Sequence, residues 1–170
     1  MKATSRGILF FIVALTVLLS AGCAAVISDQ SLRLVDPKLT FAEVRKNSQS
    51  YKGQYVLLGG AIVSVLNTNS GDEMEVVQFK TDDKGEITDT DKSGGRFLAV
   101  SSSFLDPAIY QPGLLVTIVG EVQGSRSMPL GEADYLYPLI GIREIHLWKP
   151  EEMRSPPQVH FGIGVGTIFH

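Results

Sequence analysis

The chain has a single cysteine, Cys23, among 170 residues, so no internal disulfide can brace its fold. Histidine is almost as scarce. His146, His160 and His170 stand far apart, and no Cys or carboxylate spacing around them resembles a zinc set. No Gly-x-Ser-x-Gly elbow occurs, and Ser101-Ser102-Ser103 has no base beside it in sequence to activate a hydroxyl. No Gly-rich phosphate loop precedes a helix. Gly162, Gly164 and Gly166 lie in an alternating run near the terminus, without a strand-turn-helix context. The expectation is a non-enzymatic protein with no catalytic residues and no metal site.

Long apolar runs are equally absent beyond the first 22 residues. There, Lys2 and Arg6 precede an apolar region at 8–19, and the small residues Ser20, Ala21 and Gly22 follow it, which are the parts of a secretory signal. Twelve residues of helix rise about 18 Å, short of a bilayer core of about 30 Å, so a cleaved signal is favoured over a transmembrane anchor. Cys23 comes directly after. A signal that ends in small residues followed by Cys resembles the lipobox of bacterial lipoproteins, although Ser20 takes the usual leucine position and Leu19 stands one step further out. The resemblance implies cleavage before Cys23, a diacylglyceryl group on its thiol and an acyl group on the new amino terminus. At about 0.8 kcal/mol per buried methylene, three acyl chains anchor far beyond one reversible lipid. The alternative is ordinary secretion, with cleavage after Ala21 or Gly22 and a free thiol, which is a liability in an oxidising compartment. Ala24, where retained lipoproteins carry Asp, implies the inner leaflet of the outer membrane.

Removal of residues 1–22 leaves 148 residues, with 13 basic against 18 acidic side chains and a net charge of −5. That length suits one domain with a single core. Without a Lys/Arg cluster, nucleic-acid binding and electrostatic adhesion to anionic lipid are both disfavoured. Membrane attachment then falls to the covalent lipid on Cys23, the one non-protein group expected.

Residues 23–38 read as a lipidated polar tether, 39–149 as the folded domain and 150–170 as a Pro-containing linker with a Gly-rich tail. Thr40 and Glu43 fit a capping box opening a short helix over 41–48. From Tyr51 the period changes to two. A strand over 54–66 is interrupted by Gly59-Gly60, which predicts a bulge or coil that lets one strand serve two sides of a barrel. A turn at 67–71, a strand over 73–80, an acidic hairpin loop over 81–95 and a strand over 96–101 follow. A turn over 103–107 is expected to enter one helical turn over 108–110. Residues 114–123 then alternate, with Leu114, Val116, Ile118 and Val122 facing one way and Thr117, Glu121 and Gln123 the other. A loop over 125–132 and a final strand over 137–148 complete the domain. The pattern predicts a mainly β protein: a small five-stranded antiparallel OB-like β-barrel with one short helix. In the tail, Phe161, Ile163 and Val165 alternate with glycines, a stripe fit to add a strand or to touch membrane or a partner.

Two candidate sites arise and are weighed against plainer roles. Asp89, Asp91, Ser93 and Gly94 match the first half of a calcium loop, but its bidentate Glu would fall on Val100, so a solvated hairpin is favoured. Tyr51, Tyr55, Phe97, Tyr110, Tyr135, Tyr137 and Trp148 offer an aromatic groove for a glycan fragment, against core and rim packing as the commoner role.

Several segments together carry a family likeness. They are Tyr51-Lys52-Gly53-Gln54 with Gly59-Gly60 and Ile62-Val63; Gly95-Arg96-Phe97-Leu98-Ala99; and Phe104-Leu105-Asp106-Pro107-Ala108-Ile109-Tyr110. Val116-Thr117-Ile118-Val119-Gly120, Gly124 and Ile145-His146-Leu147-Trp148 continue it. In these the chain resembles the Slp family of Gram-negative outer-membrane lipoproteins, named for a starvation-inducible member. The resemblance implies a lipid-anchored envelope protein facing the periplasm and linked to starvation or stress. It carries over one functional residue, the acylated Cys23, and no catalytic ones. The alternative function is a periplasm-facing module that binds a small envelope ligand such as a glycan; the partner class, envelope protein or glycan, stays open.

Overall fold

Strand β1 (Tyr55–Thr68) organises the molecule, because it pairs along both edges. Its first half runs antiparallel to β5 (Leu115–Leu130), from Tyr55 opposite Glu121 to Ala61 opposite Leu115. Its second half runs antiparallel to β2 (Gly71–Thr81), from Gly59 opposite Phe79 to Thr68 opposite Gly71. Residues 59–61 are shared by both ladders, so the strand coils at Gly59-Gly60 and serves two sides, as the glycine pair predicts. The bulge lies just beyond, between Ile62 and Ser64. The computed structural model describes residues 26–69 and 71–150. Cys23, the segment before it, His160, His170 and the Gly-rich tail lie outside the described residues.

The ring β1-β5-β6-β4-β2 closes back on β1, with β4 spanning Gly95–Ser101 and β6 Ala133–Leu147. A short sixth strand, β3 (Ile87–Asp89), extends the ring outside β2, within the expected hairpin loop. The fold is thus a small OB-like barrel, with one correction to the all-antiparallel expectation. β4 and β6 pair in parallel, Leu98 with Leu139 through Val100 with Gly141. This short parallel ladder joins strands far apart in sequence and is the seam that closes the ring.

Alternation fills the barrel. Val56, Leu58, Ile62, Met74, Val76, Phe97, Ala99, Val116, Ile118, Val122 and Ile140 are all buried in one cluster. Burial of each large side chain contributes about 1.5–3 kcal/mol. Helix α2 (Phe41–Lys46) adds Phe41 and Val44, and the Phe41 ring meets Phe97 with centroids 5.9 Å apart. Its capping box is present: Glu43 N donates to Thr40 Oγ1 at 3.3 Å, and Thr40 N donates to Glu43 Oε2 at 2.8 Å. The helix ends sooner than expected, giving way to a 3₁₀ turn at Ser48–Tyr51. The helical turn expected over 108–110 is there and starts slightly earlier, with the Ile109 and Tyr110 amides both bonded to the Asp106 carbonyl.

Two segments differ from their reading in sequence. Residues 125–130 are not a loop, since β5 and β6 continue as a paired ribbon to Leu130 opposite Ala133, and only Gly131 and Glu132 form the turn. The ribbon stands partly in water, so it lacks the half-buried alternation that marks a strand. Arg126 bonds both carboxylate oxygens of Glu73 on β2 at 2.7 and 2.8 Å, which fastens the ribbon to the barrel. The expected tether is also folded from Ile27 onward. Ile27 is fully buried, Asp29–Leu32 forms one turn of helix (α1), and Val35 bridges in parallel to Tyr55.

Candidate functional site

The described residues begin against the outer wall where β1, β5 and β6 lie side by side, Ile27 close to Leu57 and Thr117 and Ser28 bonded to Glu144. Thr117 and Val119 on β5 are both wholly buried, and Thr117 is covered by Gly85 of the β2–β3 loop with Ile27 beside it. Gly85 in that loop has φ +92°, and a side chain there would meet Thr117, Ile27 and Leu57 within 3.5 Å. Glycine alone suits both that backbone and that closeness. The Thr117 hydroxyl donates to the Gly85 carbonyl at 2.7 Å and accepts from the Trp148 indole at 3.0 Å. One hydroxyl therefore joins the barrel, the loop and the last residues after β6.

A second tie holds the start of the segment. The Ser28 amide and hydroxyl donate to the two Glu144 carboxylate oxygens at 2.9 and 2.6 Å. Partial burial pushes the Glu144 carboxyl up, but the hydrogen bonds from Ser28 and Ser31 outweigh it and hold the group below its ordinary range. A depressed carboxyl pKa stabilises the folded state above the ordinary Glu value of about 4.3 and ceases to do so as pH falls through the lower folded value. Acidification through that window is expected to loosen the segment and shift the emission of Trp148. A Glu144→Gln variant should lack this transition; an unchanged transition in the variant would show that the tie is not its cause.

The aromatic residues go to separate places: Tyr51 and Tyr110 pack partly buried against the core, and the Tyr55 hydroxyl donates to Glu121 Oε2 at 3.4 Å. Phe97 lies in the core and Tyr137 is 1% exposed, its ring edge-on to Tyr135 with centroids 4.7 Å apart. The Tyr137 hydroxyl donates to Glu75 Oε1 at 3.0 Å, and Arg96 bonds the same oxygen at 2.7 Å. The bond to Glu75 raises the Arg96 guanidinium, whereas burial and then the neighbouring carboxylate raise the Tyr137 phenol. Tyr135 is engaged as well, its hydroxyl accepting from the Arg96 amide at 2.9 Å. These rings brace an ion pair on the barrel surface. Trp148 meets His146 edge-on at 5.1 Å, on a different wall.

The carboxylates of the acidic loop serve its turns. Asp82 Oδ1 accepts from the amides of Lys84 and Glu86, and Asp89 Oδ1 accepts from that of Asp91. Among the described residues no group of three or more His, Cys, Asp or Glu is placed to hold a metal ion. Ser101 donates to the Ser103 carbonyl and accepts its amide. Sequence patterning missed an open polar cleft of about 350 Å³, lined by Tyr55, Ser101, Glu121, Gln123 and Arg143 among others. Its residues come from four strands and a loop, so no local spacing announces it. It missed the Ile27 wall for the same reason.

Solved structures similar to the barrel include the mitochondrial single-stranded DNA-binding protein Rim1 of S. cerevisiae, at 14% identity and TM-score 0.36 over 56% of this chain and 94% of that one. A small single-stranded DNA-binding protein of Streptomyces coelicolor matches at 12% identity and TM-score 0.33, over 55% and 92%. Such scores are low, and the barrel assignment stands on the strand pairing itself. In sequence, the chain is 26% identical to Outer membrane protein Slp of Escherichia coli (strain K12) over 134 residues, 79% of this chain and 71% of that protein. The family model described as Outer membrane lipoprotein Slp family matches residues 20–164, a span that begins at Ser20 and includes Cys23. The chain belongs to the Slp family of outer-membrane lipoproteins.

Proposed function

We propose that this protein is a non-enzymatic envelope component, anchored in the outer membrane by acyl groups on Cys23, with its barrel facing the periplasm and its role tied to starvation or stress. The observation that carries this reading is the continuity of the family match across Cys23, together with the small residues Ser20, Ala21 and Gly22 before it. The net negative charge of the mature chain opposes attachment to anionic lipid by overall charge, so the covalent lipid supplies the anchor. The same charge speaks against nucleic acid as a partner. Against the rival, a glycan-binding module, Phe97 lies in the core and Tyr135 and Tyr137 are bonded at the Glu75–Arg96 pair.

Cys23→Ala tests the anchor. The variant is expected to leave the outer-membrane fraction on a density gradient, with its signal uncleaved at residue 22. If it remained in that fraction and were processed at the same bond, the lipid would not be the anchor.

A further inference from the structure

Only three residues, Ala24, Ala25 and Val26, separate Cys23 from the fully buried Ile27. An extended chain advances at most about 3.6 Å per residue, so the acylated residue lies within about 14 Å of the wall at Ile27. A domain of this size has a radius of gyration of about 14 Å and hence a diameter of roughly 35 Å. Were the opposite face turned to the bilayer, Ile27 would stand too far from the headgroups for Cys23 to reach them. The folded N-terminal segment therefore leaves little freedom of rotation.

The chemistry of this wall fits the place. Half-buried Trp148 is fixed to it through Thr117, and the exposed Lys149 follows directly. Arg143 is exposed and acts on Glu144, the residue that ties Ser28. An indole followed directly by a lysine is a combination that settles at the level of lipid headgroups. The far end of β1 differs. Leu66 lies nine residues beyond Leu57, about 30 Å along the strand at 3.3 Å per residue. There the β1–β2 hairpin and the loop after β4 are joined, the Asn67 side chain donating to the Leu105 carbonyl, and neighbouring Phe104 is 72% exposed.

We propose that the wall centred on Ile27 and edged by Arg143, Trp148 and Lys149 is a lipid-facing surface, which holds the barrel against the leaflet in one orientation with the Phe104 end directed into the periplasm. The inference rests on acylation of Cys23, and its test separates the two claims. Trp148 is the only tryptophan, so it reports on the wall without mutation. The purified full chain is reconstituted into vesicles of phosphatidylethanolamine and phosphatidylglycerol that contain headgroup-spin-labelled phosphatidylcholine. Loss of most Trp148 emission is expected, whereas a Trp148→Phe, Phe104→Trp chain should stay bright. Equal quenching of the two reporters, or stronger quenching at 104, overturns the proposed orientation. Intact mass and flotation of the same samples report the anchor independently: acylated, floating protein without quenching at Trp148 sinks the surface and spares the lipoprotein reading. Protein without acyl mass sinks both.

Discussion

Gly60→Val is expected to abolish the folded barrel. A Cβ at Gly60 would fall on the Val77 carbonyl oxygen, with Val76 Cγ1 at 2.7 Å behind it. The obstacle is backbone, and neither strand can yield, because Gly60 is paired with Gln78 on one side and with Val116 on the other. Overpacking against flexible side chains costs about 1–3 kcal/mol. A clash with a doubly paired backbone exceeds that and approaches the whole stability of a small domain, about 5–15 kcal/mol. Circular dichroism of the variant should show no cooperative thermal transition. A transition near that of the parent would mean that the two ladders do not share this residue.

Phe97→Ala should fold but lose stability on a different ground. The ring is wholly buried and meets Phe41, so truncation leaves a cavity at the junction of helix and barrel. Such changes cost about 3–5 kcal/mol. At about 2–4 °C per kcal/mol for a domain of this size, the melting temperature should fall by roughly 6–20 °C. Leu136→Ala, at a position 51% exposed on the ribbon, should change it little. Equal effects at the two positions would contradict the assignment of the core.

Local chemistry explains which features could be read in the sequence. The box of Thr40 and Glu43 and the alternation from Leu114 to Val122 state their structures within a few residues. Gly59-Gly60 likewise announced a strand serving two sides, although the bulge itself settled at Ile62/Ser64. Features built from distant residues left no such mark. The parallel seam of β4 with β6 rests on three residue pairs about 41 positions apart, and nothing in either strand gives their relative direction. The ribbon beyond Gly124 is exposed, so its period was hidden. Ile27 is buried close to Gly85, Leu57 and Thr117, none of them near it in sequence. The aromatic residues were legible as a set but not in their destination, since composition does not distinguish a core ring from a stacking ring.

The central claim is that the mature chain begins at Cys23 and is held by lipid there. Mass analysis of the N-terminal peptide from protein extracted from outer membranes tests it most directly. The account expects a peptide that starts at Cys23 and carries the mass of a diacylglyceryl group on sulfur and an acyl chain on nitrogen. A peptide starting at Gly22 or Cys23 with a free thiol and no added mass would contradict it.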